Sequence, residues 1–97
     1  ILEFSSEAEN DLEQTADYIA QDDPLRALSF VRELRSKCER LLAAPNSFAF
    51  VPRFEHHGIR RRVHGNYLIF YRVESEKVVI IHILHGVTDY GAILFGD

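Results

Sequence analysis

Hydrophobic and polar positions along this chain alternate first at helical and then at strand spacing. After a short β-prone start, Ile1 to Phe4, the apolar positions Ala8, Leu12, Ala16, Ile19 and Ala20 recur every three or four residues. That is the period of an amphipathic helix. Ser6 and Glu9 stand three apart just before it, the spacing of a capping box, in which hydroxyl and carboxylate each satisfy a backbone amide of the first turn. Gln21-Asp22-Asp23-Pro24 breaks the pattern, and a second helix restarts with Asp23 as N-cap and Pro24 in the first turn. Its apolar stripe is Ala27, Val31, Leu34, Cys38, Leu41 and Leu42, and Pro45 closes it. The short break predicts an antiparallel helix hairpin.

From Ile59 the period becomes two. IRRRVH, YLIFYRV and VVIIHIL read as three strands, the first two joined by Gly65-Asn66, which supplies the positive φ of a tight hairpin. The order is therefore β-α-α-β-β-β, an α+β fold with the helix hairpin on one face of a mainly antiparallel sheet, expected as one domain over residues 1–97. The connection from Pro45 to Gly58 carries Phe48, Phe50 and Phe54, three rings expected to plug the sheet edge or the base of the hairpin.

The Gly-Asn corner also sorts the side chains by face. It sets His64 opposite Tyr67, Arg62 opposite Ile69 and Arg60 opposite Tyr71, all on one side. Ile59, Arg61, Val63, Leu68, Phe70 and Arg72 share the other. Across the second hairpin, Phe70 is predicted to face Ile81, Leu68 to face Ile83 and Arg72 to face Val79. The oilier side, with Phe70 and Leu68, is expected beneath the helix hairpin. The side with Arg60, Arg62, Tyr67, Ile69, Tyr71 and His82 is then left for the C-terminal tail, Ala92 to Phe95, or for another chain.

Composition narrows the classes. The chain has 97 residues, 46% hydrophobic and 27% charged, enough for one core. A single cysteine, Cys38, allows no internal disulfide, and no Cys/His set has zinc spacing, so neither metal nor cofactor is expected. No run reaches the length of a membrane span, and no signal peptide is visible, so a cytoplasmic location is expected. The sequence contains no Met, which predicts that residues precede Ile1. The net charge of −4 argues against a surface that grips nucleic acid throughout. Yet residues 59–97 hold five bases against four acids, with Arg60, Arg61 and Arg62 consecutive.

Cleavage of RNA through its 2′-hydroxyl requires a base, an acid and cations about the phosphate. Arg60, Arg62, His64 and Tyr90 are the set that could serve. His56 and His57 are adjacent in a loop, where the rings splay instead of converging on a metal. Cys38 lies on the apolar stripe and reads as core. Gly86 suits a sharp exit from the last strand, and Asp89 suits a cap for the turn that follows.

DLEQTADYIAQDDPLRALSFVREL, the Leu-Leu-Ala-Ala-Pro exit and GIRRRVHGNYLIFYRV with VVIIHILHG resemble the ParE branch of the RelE/ParE toxin superfamily, small toxins of bacterial type II toxin–antitoxin modules associated with plasmid stabilisation. The resemblance runs over nearly the whole chain. It implies an α-hairpin on a mainly antiparallel sheet and neutralisation by a cognate antitoxin that wraps the toxin. ParE-type toxins act on DNA gyrase, whereas RelE-type toxins cut messenger RNA on the ribosome. In the ParE-like pattern the segment at His85 commonly reads HGARD. His85, Gly86 and Asp89 match, while Thr88 stands in place of the arginine.

Three functions are therefore expected: a gyrase-binding toxin without catalysis of its own, a ribosome-dependent endoribonuclease, or an attenuated copy, on account of Thr88, that binds antitoxin only. The residues expected to meet a partner are Arg60, Arg62, Tyr67, Ile69, Tyr71, His82, His85 and Asp89. An antitoxin helix or strand would cover this surface, its acids pairing with Arg60 and Arg62. Without antitoxin the toxin is expected to self-associate through the same side.

Overall fold

A computed structural model, in which residues 1–96 are described, gives the order β1 (Leu2–Phe4), α1 (Ser6–Ala20), α2 (Pro24–Arg40), β2 (Arg60–His64), β3 (Tyr67–Glu74), β4 (Lys77–His85) and α3 (Tyr90–Phe95). A 3-10 turn covers Glu55–His57. The terminal Asp97 of the predicted domain lies outside the described residues. The strands form one sheet in the order β1-β4-β3-β2, with β1 parallel to β4 and the other pairs antiparallel.

The helix starts follow local chemistry. Ser5, one residue before the predicted cap, accepts the amide of Ala8 at 3.0 Å. Its hydroxyl also donates to Ile81 O at 2.7 Å, which ties the start of α1 to β4. Asp23 caps α2 as predicted, accepting the amide of Arg26 at 3.0 Å, with Pro24 in the first turn. At the hairpin corner Gly65 takes φ +58° while Asn66 stays out of the left-handed region, the type II′ arrangement with glycine first.

The β2–β3 register is the predicted one at all three pairs named from the sequence. The β3–β4 register is not. Arg72 faces Val79, but a bulge between Phe70 and Tyr71 on the β3 side shifts the ladder, so Phe70 faces His82 and Leu68 faces Leu84. Ile81 is the extra residue.

The faces are exchanged relative to expectation. The α1–α2 hairpin lies on the side of Ile69, Tyr71, Val78, Ile80 and Ile83, with Ala8, Leu12, Phe30, Leu34, Cys38 and Leu41 from the helices. Phe70, Leu68, Ile59 and Val51 form a second core, roofed by Phe54, Tyr90, Leu94 and Phe95. The tail does cover the remaining face, as predicted, but that face is the Phe70 side. Both Phe70 and Tyr71 are 0% exposed, and burying each ring contributes about 1.5–3 kcal/mol.

The phenylalanine-rich connection closes the rim. Phe50 bridges Arg60, and Val51 N and Arg61 N donate to Ile59 O and Ala49 O, so residues 49–51 line the first half of the β2 flank. Phe48 joins the hairpin core and Phe54 stacks on Phe95 at 4.1 Å.

Candidate functional site

The arginine strand was the leading candidate surface, and its side chains are committed internally. A helix ends with carbonyls that lack partners, and cations near them are favoured. Arg62 Nη1 donates to Lys37 O at 3.4 Å in the last turn of α2, its guanidinium 4.8 Å above the Phe48 ring. Arg60 Nη1 donates to Phe48 O at 2.7 Å and to Asn46 O at 3.3 Å, and lies 4.0 Å over Phe50. His64 Nε2 meets Glu33 Oε1 at 3.0 Å. Glu33 also binds Arg26, and the Arg26 hydrogen bond first, then that of His64, holds its carboxyl below the usual range.

Arg61 points to the opposite face. Its Nη1 donates to Tyr90 Oη at 2.9 Å, and the Tyr90 ring packs 5.2 Å from Phe70. Arg60, Arg62 and His64 therefore share the hairpin side of the sheet, while Tyr90 lies on the reverse side. The four residues of the nuclease reading do not converge on one reacting centre.

The predicted partner residues divide in the same way. Ile69 and Tyr71 are 0% exposed and offer nothing to a partner. They lie beneath α1 and α2 because the face assignment was exchanged. Tyr71 Oη donates to Pro45 O at 2.7 Å, and burial pushes its phenol up from the ordinary value. Arg60 and Arg62 are half-buried, and each turns its Nη1 to backbone carbonyls of the α2 end and the following loop.

What does face outward is one end of the molecule. A groove of about 370 Å³ runs between α1 and the last residues of β4, lined by Asp11, Thr15, Tyr18, Tyr67, His82, His85, Thr88 and Ile93 among others. Two predicted histidines meet here. His85 sits edge-on to Tyr67 at 5.1 Å, and its Nδ1 accepts the amide of Val87 at 3.2 Å. His82 Nδ1 lies 2.7 Å from Asp11 Oδ2, which also accepts the amide of Ile83 at 2.8 Å. Tyr18 and Val87 beside the groove are 68% and 88% exposed. Asp89 caps α3 through the amide of Ala92, and Thr88 N donates to His85 O. Thr88 borders this groove and a second cleft with Arg53, Phe54, Asp89 and Tyr90.

Several of these residues were not singled out from sequence. Asp11 and Tyr18 are two of them. Arg53 adopts φ +75°, left-handed for a side chain, at the third position of a Val51–Phe54 turn closed by Phe54 N to Val51 O at 3.0 Å. Glycine is the usual residue there. His56 and His57 stack at 4.2 Å, and His57 packs on Phe95. Among the described residues no group of three or more His, Cys, Asp or Glu could hold a metal ion. No helix among them is long and apolar enough to cross a membrane.

An α-hairpin on a four-stranded, mostly antiparallel sheet defines a small α+β fold. The family description "ParE toxin of type II toxin-antitoxin system, parDE" matches residues 2–90, and the chain belongs to that family. Its fold is similar to that of a chain from the chromosomal ParDE toxin–antitoxin system of P. aeruginosa, with TM-score 0.72 and 24% identity over 87% of this chain and 92% of the other. No curated relative matches the sequence closely enough to count as one.

Proposed function

We propose that this ParE-family toxin arrests growth by binding DNA gyrase, performs no chemistry of its own, and is held inactive in the cytoplasm by a cognate antitoxin. The observation that carries this reading is the dispersal of the nuclease residues. Tyr90 pairs with Arg61 on one face, and Arg60 and Arg62 turn their Nη1 groups to carbonyls on the other. A ribonuclease must bring base, acid and cation within hydrogen-bond reach of one phosphate. Membership of the ParE family supports the same target class.

Gyrase supercoiling and cell-free translation, run side by side with the purified toxin, test the choice. Inhibited supercoiling with intact messenger RNA is the expected result. Cleaved messenger RNA with untouched supercoiling would establish the endoribonuclease instead. Inactivity in both, with antitoxin still bound, would identify the attenuated copy suggested by Thr88.

A further inference from the structure

β1 is too short for its neighbour. Its pairing with β4 stops at Phe4 opposite Ile80, because Ser5 turns the chain into α1, whereas β4 continues to His85. From Ile81 onward that flank of β4 has no neighbouring strand among the described residues. In an antiparallel ladder successive residues direct their backbone groups to opposite sides. Gly86 N donates to Asn66 O at 2.7 Å, so Leu84 and His82 also turn toward β3, and Ile81, Ile83 and His85 turn outward.

Three of the outward groups have partners. Ile81 C=O accepts from Ser5 Oγ at 2.7 Å, Ile83 N–H donates to Asp11 Oδ2 at 2.8 Å, and His85 C=O accepts from Thr88 N at 3.0 Å. Ile83 C=O and His85 N–H have none among the described residues. Those two groups, on either side of Leu84, are what one residue of a parallel strand satisfies with its own N–H and C=O. An antiparallel strand would reach the same two groups with two different residues, and would leave the other backbone group of each facing Ile83 N–H and His85 C=O, which are already taken.

The surroundings suit an added chain. The groove beside this flank presents Tyr18, Tyr67 and His85, with Ile93 48% exposed at its rim. The wall opposite, α1, turns Asp11 toward the groove and holds no basic residue, while its Glu9 is paired with Arg35 of α2. We propose that an extended segment of the antitoxin adds here as a parallel strand on the track that β1 leaves. The residue opposite Leu84 makes the two backbone bonds. Its neighbours on either side place apolar side chains against Tyr18 and Tyr67, and a lysine or arginine in the flanking sequence faces Asp11 of α1. This inference rests on the toxin–antitoxin reading and is independent of what the toxin inhibits.

The test is site-resolved hydrogen exchange on the toxin alone and co-expressed with the protein encoded by the adjoining reading frame. The His85 amide is expected to slow by about tenfold or more in the complex. Tyr18→Ala, at an exposed position, is expected to weaken the complex about tenfold without changing the thermal midpoint, whereas Val63→Ala on the β2 flank leaves affinity within about twofold. A complex in which His85 exchanges at the free rate, or in which protection appears at Arg62–His64 instead, overturns the inference and leaves the toxin–antitoxin reading standing. Failure of the adjoining protein to bind at all overturns both.

Discussion

Asp11→Ala probes the joint between α1 and β4. The carboxylate is 11% exposed and its Oδ2 takes two contacts, the amide of Ile83 at 2.8 Å and His82 Nδ1 at 2.7 Å. Hydrogen bonds to a charged group contribute roughly 1.5–3 kcal/mol each, and a buried donor left unpaired costs about 1–3 kcal/mol. Ile83 is 1% exposed, so water does not readily replace the lost acceptor. Taking the low end for the partly exposed His82, the loss is about 3 kcal/mol. For a domain of this size each kcal/mol lowers Tm by roughly 4–8 °C, so a fall on the order of 12–24 °C is expected. Asp11→Asn keeps an oxygen for the Ile83 amide and should lose about half as much. Urea denaturation of Asp11→Ala, His82→Ala and the double variant measures the coupling, which should exceed about 1 kcal/mol. A single-variant loss below about 1 kcal/mol, or full additivity of the two changes, would refute this account of the joint.

Cys38 is 0% exposed and burial pushes its thiol up to about 12. At pH 8 that leaves about 10³-fold less thiolate than an ordinary cysteine, so the native protein should resist a disulfide reagent until urea unfolds it; prompt stoichiometric labelling in native buffer would contradict this. Phe70→Ala should cost about 3–5 kcal/mol by urea titration, whereas Val63→Ala, at an outward position 62% exposed, should stay within about 0.5 kcal/mol. Arg53→Gly removes a side chain from a left-handed turn position and should raise stability by about 1 kcal/mol; a loss measured by the same titration would mean that the guanidinium holds the turn.

The elements were legible in the sequence because each carries its own local signal. Periodicity, Asp23-Pro24 and Gly65-Asn66 gave the helix hairpin, the restart of α2 and the β2–β3 register residue by residue. The bulge at Ile81 carried no such signal. VVIIHIL is apolar almost throughout, so its alternation is blurred and an extra residue leaves no mark in the pattern. The face assignment failed for a different reason. Three arginines in one strand made their side look polar, but Arg60 and Arg62 reach past the sheet to the carbonyls that close α2 and the following loop. Long cationic side chains cover apolar neighbours with their stems and place only the head where acceptors are. The Tyr71 phenol hides in the same way, its hydroxyl on Pro45 O. Phe30, missed as a stripe residue, is buried against Tyr67 and His64, while Leu42, assigned to the stripe, is 44% exposed past the end of α2.

Roofing both faces of so small a sheet restricts where another macromolecule can dock. The α1–α2 hairpin occupies one face, and α3 with Phe54 occupies the other. Of the two flanks, β2 is partly lined by residues 49–51, leaving only its outer end near Val63. β4 beyond Ile80 is the longer opening, and a groove with aromatic walls lies beside it. The exposed apolar side chains Tyr18, Val87 and Ile93 gather at that same end. If an antitoxin fills this opening, it needs no contact with the arginine strand to occlude the segment containing Thr88 and Asp89. Neutralisation then follows from covering the junction of β4 and α3, and variants at Arg60 or Arg62 should act on stability before they act on antitoxin affinity.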